Sequence, residues 1–205
     1  DAEHPDAIQR GRHDEIVFSE NIPVFGFLGL PNLRVVTEVS KIRKFAIKHH
    51  LSVDQIVDIP NGYDSPVAIM RDDDGYVLLT DRQVTTDDGE QKPMRLFLRP
   101  TKWRSGEIVL LATAMAENGR DELEYYEPRI KAGLMFADEN RIAGLNLGEE
   151  TESILRIQAS GENVKTAADF SAWRSTQESI AKSAADGNGM RWSIGARRRA
   201  EFREL

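Results

Sequence analysis

The sequence predicts an α+β fold in which helices come first and a mostly antiparallel sheet follows. Three observations predict it: a helical apolar period over residues 35–51, an Asp74-Gly75 turn between two short β runs, and apolar alternation over residues 94–99. Within 35–51, Val35, Val39, Ile42, Phe45, Ala46 and His49 fall on one side at about 100° per residue, and Lys41, Lys44 and Lys48 fall opposite. Ser52-Val-Asp-Gln55 reads as a capping box opening a second, short helix that carries Ile56 and ends before Pro60. Residues 66–71 and 75–80 read as β runs joined at Asp74-Gly75, because Asp-Gly suits a hairpin turn whose central residues need positive φ.

Further along, Met94, Leu96 and Leu98 share one strand face, and Arg95, Phe97 and Arg99 share the other, which is expected to point outward. Residues 107–113 form a more continuous apolar strand, and 120–127 a helix stopped by Pro128. Residues 133–136 and 152–157 read as late strands. Residues 167–182 form one amphipathic stretch in which Phe170, Trp173 and Ile180 share a face, with Thr166 able to cap its start. The end, 191–205, holds five arginines against two glutamates and reads as a mobile basic tail. By composition the chain divides into a polar connecting arm (1–21), an α+β core (22–160), and a helical tether with its basic tail (161–205).

At 205 residues, with 40% hydrophobic and 30% charged, the chain is long enough for one domain with appendages or two small ones. Its longest apolar run, 24–30, is far short of a membrane-spanning helix, so no membrane partner is expected. The chain begins at Asp1 rather than Met and has no visible export leader, which reads as a processed product or a piece of a longer chain. Without cysteine, disulfides, thiolate zinc sites and cysteine nucleophiles are excluded. A net charge of -7 argues against a surface that attracts nucleic acid everywhere, while leaving room for a local basic patch.

Such a patch stands at Lys41-Ile-Arg-Lys-Phe-Ala-Ile-Lys-His-His50, which has four fixed cations, two histidines and no acid between Glu38 and Asp54. An imidazole titrating near neutrality can move a proton, and lysine or arginine can stabilise charge on phosphate oxygens, so a histidine-tipped basic helix suits phosphodiester chemistry. The same residues also fit a plainer role, since cations and a histidine at a helix C-terminus favour its dipole and bond its last carbonyls. A second acid-free stretch, 92–106, interleaves Arg95, Arg99, Lys102 and Arg104 with Phe97 and Trp103. Arginine beside an aromatic on one face can hold phosphates and stack a base, although charges on a strand also protect a sheet edge.

Asp72-Asp-Asp-Gly75 and Asp87-Asp-Gly89 sit where hairpin turns are needed and lack calcium-loop spacing. His4 and His13 lack ligand spacing, and His49 and His50 diverge on a helix, so no metal site and no cofactor are expected. Dinucleotide, phosphate-loop and serine-hydrolase signatures are missing from the sequence. After the apolar strand, Thr113 can donate to a phosphate and Glu117 can act as a general base, or each can cap and solvate a loop.

Taken in order, Ile22-Pro-Val, Leu28-Gly-Leu-Pro-Asn-Leu33, Lys41, Lys48-His-His-Leu-Ser52, Ile59-Pro60 and Asp64-Ser-Pro-Val-Ala-Ile69 resemble the C-terminal domain of phage MuF-type minor head proteins and large polyvalent proteins. The later strand, helix and Gly133-Leu-Met-Phe136 resemble that family's ending, so the resemblance spans roughly residues 22–145. The family is described as a predicted toxin-like nuclease of the barnase–EndoU–colicin–RelE group. The resemblance implies helices packed on a curved antiparallel sheet, and it sets the family's Lys-His pair on Lys48 and His49 and its strand-end serine on Thr113. The chain differs in having Thr there and Met115 where an aromatic is usual.

The expectation is therefore a metal-independent ribonuclease-like effector from a phage or mobile-element polypeptide, acting in the bacterial cytoplasm or with the virion, with RNA as substrate and an immunity protein as the partner to look for. His49 or Glu117 would take the 2′-hydroxyl proton, Lys48, Lys41 and Arg95 would stabilise the phosphorane, and His50 would protonate the leaving oxygen. Lys44, Phe97, Arg99 and Trp103 would bind the strand. The rival expectation is a virion-associated module that binds nucleic acid or protein without turnover.

Overall fold

The computed structural model describes residues 15–86, 89–103, 106–115 and 122–201, with side chains at all of them except 102, 103, 106–110, 112, 113, 122 and 186–201. Among the described residues one sheet is built from β1 (Glu15–Ser19), β2 (Val35–Glu38), β3 (Ala68–Asp72), β4 (Gly75–Thr85), β5 (Gln91–Trp103), β6 (Gly106–Met115), β7 (Leu134–Ala137) and β8 (Lys165–Thr166). The order is β1-β2-β6-β5-β4-β3-β7-β8. All neighbours are antiparallel except β2 with β6 and β7 with β8. The helices are α1 (Pro23–Phe27), α2 (Val39–Lys48), α3 (Val53–Asp64), α4 (Glu122–Gly133), α5 (Glu139–Ile142), α6 (Glu149–Ala159) and α7 (Ala167–Glu201). The class is α+β, as the sequence predicts.

Cross-strand register decides which helices cover which face. Leu79 lies opposite Arg95 and Val77 opposite Phe97, so these four share one face; Leu78 opposite Leu96 and Tyr76 opposite Leu98 share the other. On the first face Met70, Val77 and Leu79 pack with Tyr126 and Ile130 of α4 and Leu155 and Ala159 of α6. On the second, α3 comes so close that a Cβ on Gly62 would stand 2.9 Å from Thr80 Cγ2 and 3.0 Å from Leu96 Cδ1. At about 1.5–3 kcal/mol for each fully buried large apolar side chain, these two cores hold the sheet, and the mostly exposed surface ion pairs add little.

Several elements differ from the sequence expectation. Part of the expected arm is the edge strand β1, paired with β2. Residues 35–38 are strand and not the start of a helix: Val35, Val36 and Thr37 are all buried, which a strand covered on both faces permits and one helix face does not. Thr37 Oγ1 is satisfied there by donating to the Leu111 carbonyl at 3.1 Å. The helix proper therefore begins at Val39, which is 40% exposed, and Ala46 is exposed too, leaving Phe45 as the buried anchor of α2.

The capping box is present, with Gln55 N–H donating to Ser52 Oγ and Ser52 N–H to Gln55 Oε1. Pro60 does not end α3, nor does Pro128 end α4. In each case buried residues just beyond the proline hold the next turn in the core, Gly62 and Tyr63 in α3 and Ile130 in α4. Residues 152–157 belong to helix α6: Thr151, Leu155 and Ala159 are buried at helical spacing, and Glu149, Glu150 and Glu152 favour the helix start. Where a basic tail is expected, α7 continues to Glu201.

The chain divides after Ala167 into two compact units. In the second, Phe170 and Trp173 stack with centroids 5.9 Å apart, while Ile180, expected on their face, is 58% exposed.

Candidate functional site

The hairpin joining β3 to β4 turns through Asp73 and Asp74, since Asp72 pairs with Gly75. Neither turn residue nor Gly75 has positive φ, so the expected Asp74-Gly75 turn is displaced by one residue. Gly75 is required for a different reason: a Cβ there would lie 2.1 Å from the Leu98 carbonyl oxygen. That close approach presses the acidic hairpin tip onto β5.

Beside the tip opens a cleft of about 250 Å³, lined by Lys41 and Lys44 of α2, Asp72, Asp74, Gly75 and Tyr76 of the hairpin, and Phe97, Leu98 and Arg99 of β5. Anchoring of α2 through Phe45 sets Lys41 and Lys44, four and one residues earlier, on the flank that reaches the cleft. Among the described residues neither lysine forms an ion pair. Burial, followed by repulsion from Lys41 and Lys48, pulls the Lys44 ammonium below the usual lysine range. Arg99, by contrast, bonds Asp74 through Nε to Oδ1 at 2.9 Å. Tyr76 meets Phe25 edge to face at 5.0 Å.

His49 caps the C-terminus of α2 and is half-buried, its N–H donating to the Phe45 carbonyl at 3.3 Å. His50 adopts left-handed backbone (φ 52°), which lets the Leu51 N–H return to the same carbonyl at 3.1 Å. Burial, then the charges of Lys44 and Lys48 and the neighbouring His50, push the His49 imidazole below the ordinary histidine value. His49 is therefore neutral at neutral pH and able to accept a proton, and the charge it feels most is that of cleft residue Lys44. Lys48 and His50 are exposed.

Arg95 corrects the sequence reading most sharply. It is 1% exposed and not outward-facing. Its guanidinium carbon lies 4.4 Å from the ring centre of Tyr125, 5.5 Å from Tyr126 and 5.9 Å from Phe97, on the face covered by α4. Leu96, the next residue, faces α3, so the sheet separates Arg95 from the helices that carry the histidines' side of the molecule.

The structure thus brings Lys41, Lys44 and Arg99 together, with Lys48, His49 and His50 at the adjoining end of α2, and leaves Arg95 out. The Phe97 ring is left out too: it is not outward-facing as expected but packs on the Arg95 face, edge to face with Tyr125 at 6.5 Å. Trp103 lies six residues beyond Phe97 along β5, about 20 Å away. Thr113 pairs with Phe97 across β5 and β6, but its side chain, like that of Trp103, lies outside the described residues, as does Glu117 altogether. The second acidic turn, at Asp87 and Asp88, is likewise outside them. Tyr76 and Asp74 are cleft residues that sequence reading misses; Asp74 reads only as a turn until its ion pair with Arg99 is seen.

A second cleft, about 400 Å³, lies on the other side of the tip between Arg71, Asp72, Asp73 and the end of α4. There Arg129 stacks on Tyr125 at 4.0 Å and bonds Asp72 at 3.1 Å. Among the described residues no three His, Asp or Glu side chains converge as a metal ion requires, and no helix is long and apolar enough to cross a membrane. Comparison with protein-family models, curated proteins and solved structures finds no match to this chain.

Proposed function

We propose that this protein binds RNA, taking phosphates of a single strand into the cleft between α2 and the β3–β4 hairpin. The observation that supports this reading is the pair Lys41 and Lys44, partly enclosed and without ion partners among the described residues, lining one cleft with Arg99 and Tyr76. Mutually repelling cations gain from an anion, and a tyrosine at the cleft can stack an unpaired base. The test is a titration of labelled single-stranded RNA at several salt concentrations. Lys41→Ala and Lys44→Ala are each expected to weaken binding and to flatten the salt dependence by about 0.7 in log–log slope. Equal affinity and slope in both variants overturn the reading.

His49 favours a second, catalytic reading, in which the bound RNA is cleaved without a metal. A neutral imidazole beside Lys44 and Lys48 can take a 2′-hydroxyl proton as that oxygen attacks phosphorus, while the lysines stabilise phosphorane charge. The 5′ oxygen leaves as the P–O5′ bond breaks, taking a proton from the adjacent His50 or from water. Arg95 has no part in this scheme. The resemblance to phage MuF-type C-terminal domains is what would make such a nuclease an effector with an immunity partner. Incubation with end-labelled RNA in excess chelator decides: 2′,3′-cyclic ends produced by wild type and lost in folded His49→Gln support cleavage, and intact RNA leaves binding alone.

A further inference from the structure

We propose that Asp74 is a specificity-determining residue of the cleft, holding Arg99 in the free protein so that only a ligand able to displace its carboxylate gains the third cation. The inference rests on the reading of the cleft as an RNA-phosphate site. Three cations line the cleft and differ in one respect: Lys41 and Lys44 form no ion pair among the described residues, whereas Arg99 is bonded to Asp74 at 2.9 Å.

The pairing is built into the hairpin. Because Gly75 sits against the Leu98 carbonyl, the tip is pinned over β5 immediately before Arg99, and a Cβ at Gly75 would also lie 3.2 Å from Arg99 Cγ. Asp74 is therefore an intramolecular anion held where a ligand phosphate would go. The pair is exchangeable, since the side chains of Arg99 and Asp74 are 54% and 60% exposed and an ion pair so hydrated is weak.

A group carrying one phosphate is served by the two lysines and leaves Arg99 with Asp74. A chain of phosphates places a second charge near Arg99 and can compete for it, so Asp74 selects for extended polyanions over single phosphates. Its neighbour Asp73 carries the same charge one residue away but lines only the second cleft, which makes it the control for charge alone.

The experiment measures affinity for a labelled single-stranded RNA of about ten nucleotides with wild type, Asp74→Asn, Asp73→Asn, Arg99→Ala and the Asp74→Asn/Arg99→Ala pair. Asparagine suits a turn as well as aspartate, so folding is preserved. Asp74→Asn is expected to tighten binding about two- to five-fold, more than Asp73→Asn, and Arg99→Ala is expected to cost more in the Asp74→Asn background than in wild type. Equal effects of the two asparagine substitutions, or the same cost of Arg99→Ala in both backgrounds, overturn the proposal. Wild type that binds, loses RNA in the Lys41→Ala/Lys44→Ala protein and ignores Asp74→Asn keeps the cleft and removes the role of Asp74. Binding that survives loss of both lysines, or no binding at all, removes both.

Discussion

The guanidinium of Arg95 lies over the ring of Tyr125 at 4.4 Å, and Tyr126 meets Tyr125 edge to face at 5.0 Å, so a cation closes the core between β5 and α4. Its contribution is structural. Arg95→Ala removes both the aromatic contact and a large buried volume and is expected to cost about 2–4 kcal/mol in urea denaturation. Arg95→Met keeps most of the volume and is expected to cost less. Its RNA affinity is expected to match wild type; a folded Arg95→Met protein that no longer binds RNA would show that Arg95 reaches the ligand.

His49 makes stability depend on pH in a definite direction. Burial and the nearby Lys44 and Lys48 lower its folded pKa below the ordinary value of 6.5. Above that value the group is neutral in both states and its contribution is fully present. As pH falls below it, the unfolded chain takes up the proton first and stability is lost, until pH passes the lower folded value. Urea denaturation from pH 7.5 downward is expected to show a smaller decline for His49→Gln than for wild type, and an equal decline counts against the assignment. Lys44→Met, by removing one repelling charge, is expected to raise the His49 pKa in an NMR titration.

The residues whose surroundings are local were the legible ones. The Ser52–Gln55 capping box, the alternation of Leu96 and Leu98, and the two lysines on one flank of α2 follow from short-range periodicity. What could not be read depends on partners distant in sequence. Arg95 looks like an outward residue because nothing near it signals that Tyr125 and Tyr126, thirty residues on, will cover that face. Val35–Glu38 mimics a helix start because valine is compatible with both periods, and pairing with β6 decides. Pro60 and Pro128 are ordinary stop signals overridden by burial of the following turn. The candidate cleft was half legible: its cations stand out in sequence, but Asp74, the counter-ion of Arg99, does not.

Gly75 offers a direct test of how the tip is held on β5. Alanine there would place its Cβ 2.1 Å from the Leu98 carbonyl oxygen and 3.2 Å from Arg99 Cγ, and the first contact is with backbone, which cannot swing aside. Gly75→Ala is expected to destabilise the fold by about 2–3 kcal/mol, in the range for overpacking, and to disturb the Asp74–Arg99 pair. Thermal denaturation checks the first effect. A variant as stable as wild type would mean that the hairpin tip is free to lift.

Tyr63, on the buried side of α3, sets the opposite expectation for a substitution in the core. Its side chain is fully buried, and its hydroxyl meets no hydrogen-bond partner among the described residues. Burial alone raises its pKa well above the ordinary phenol value, so it stays neutral throughout the working range. Desolvating a hydroxyl without a compensating bond costs about 1–3 kcal/mol, so removing that oxygen relieves the cost while the ring continues to fill its place. Tyr63→Phe is therefore expected to leave stability unchanged or raise it by about 1 kcal/mol. A loss of that size in urea denaturation, with the m-value unchanged, would mean that the hydroxyl does bond in solution.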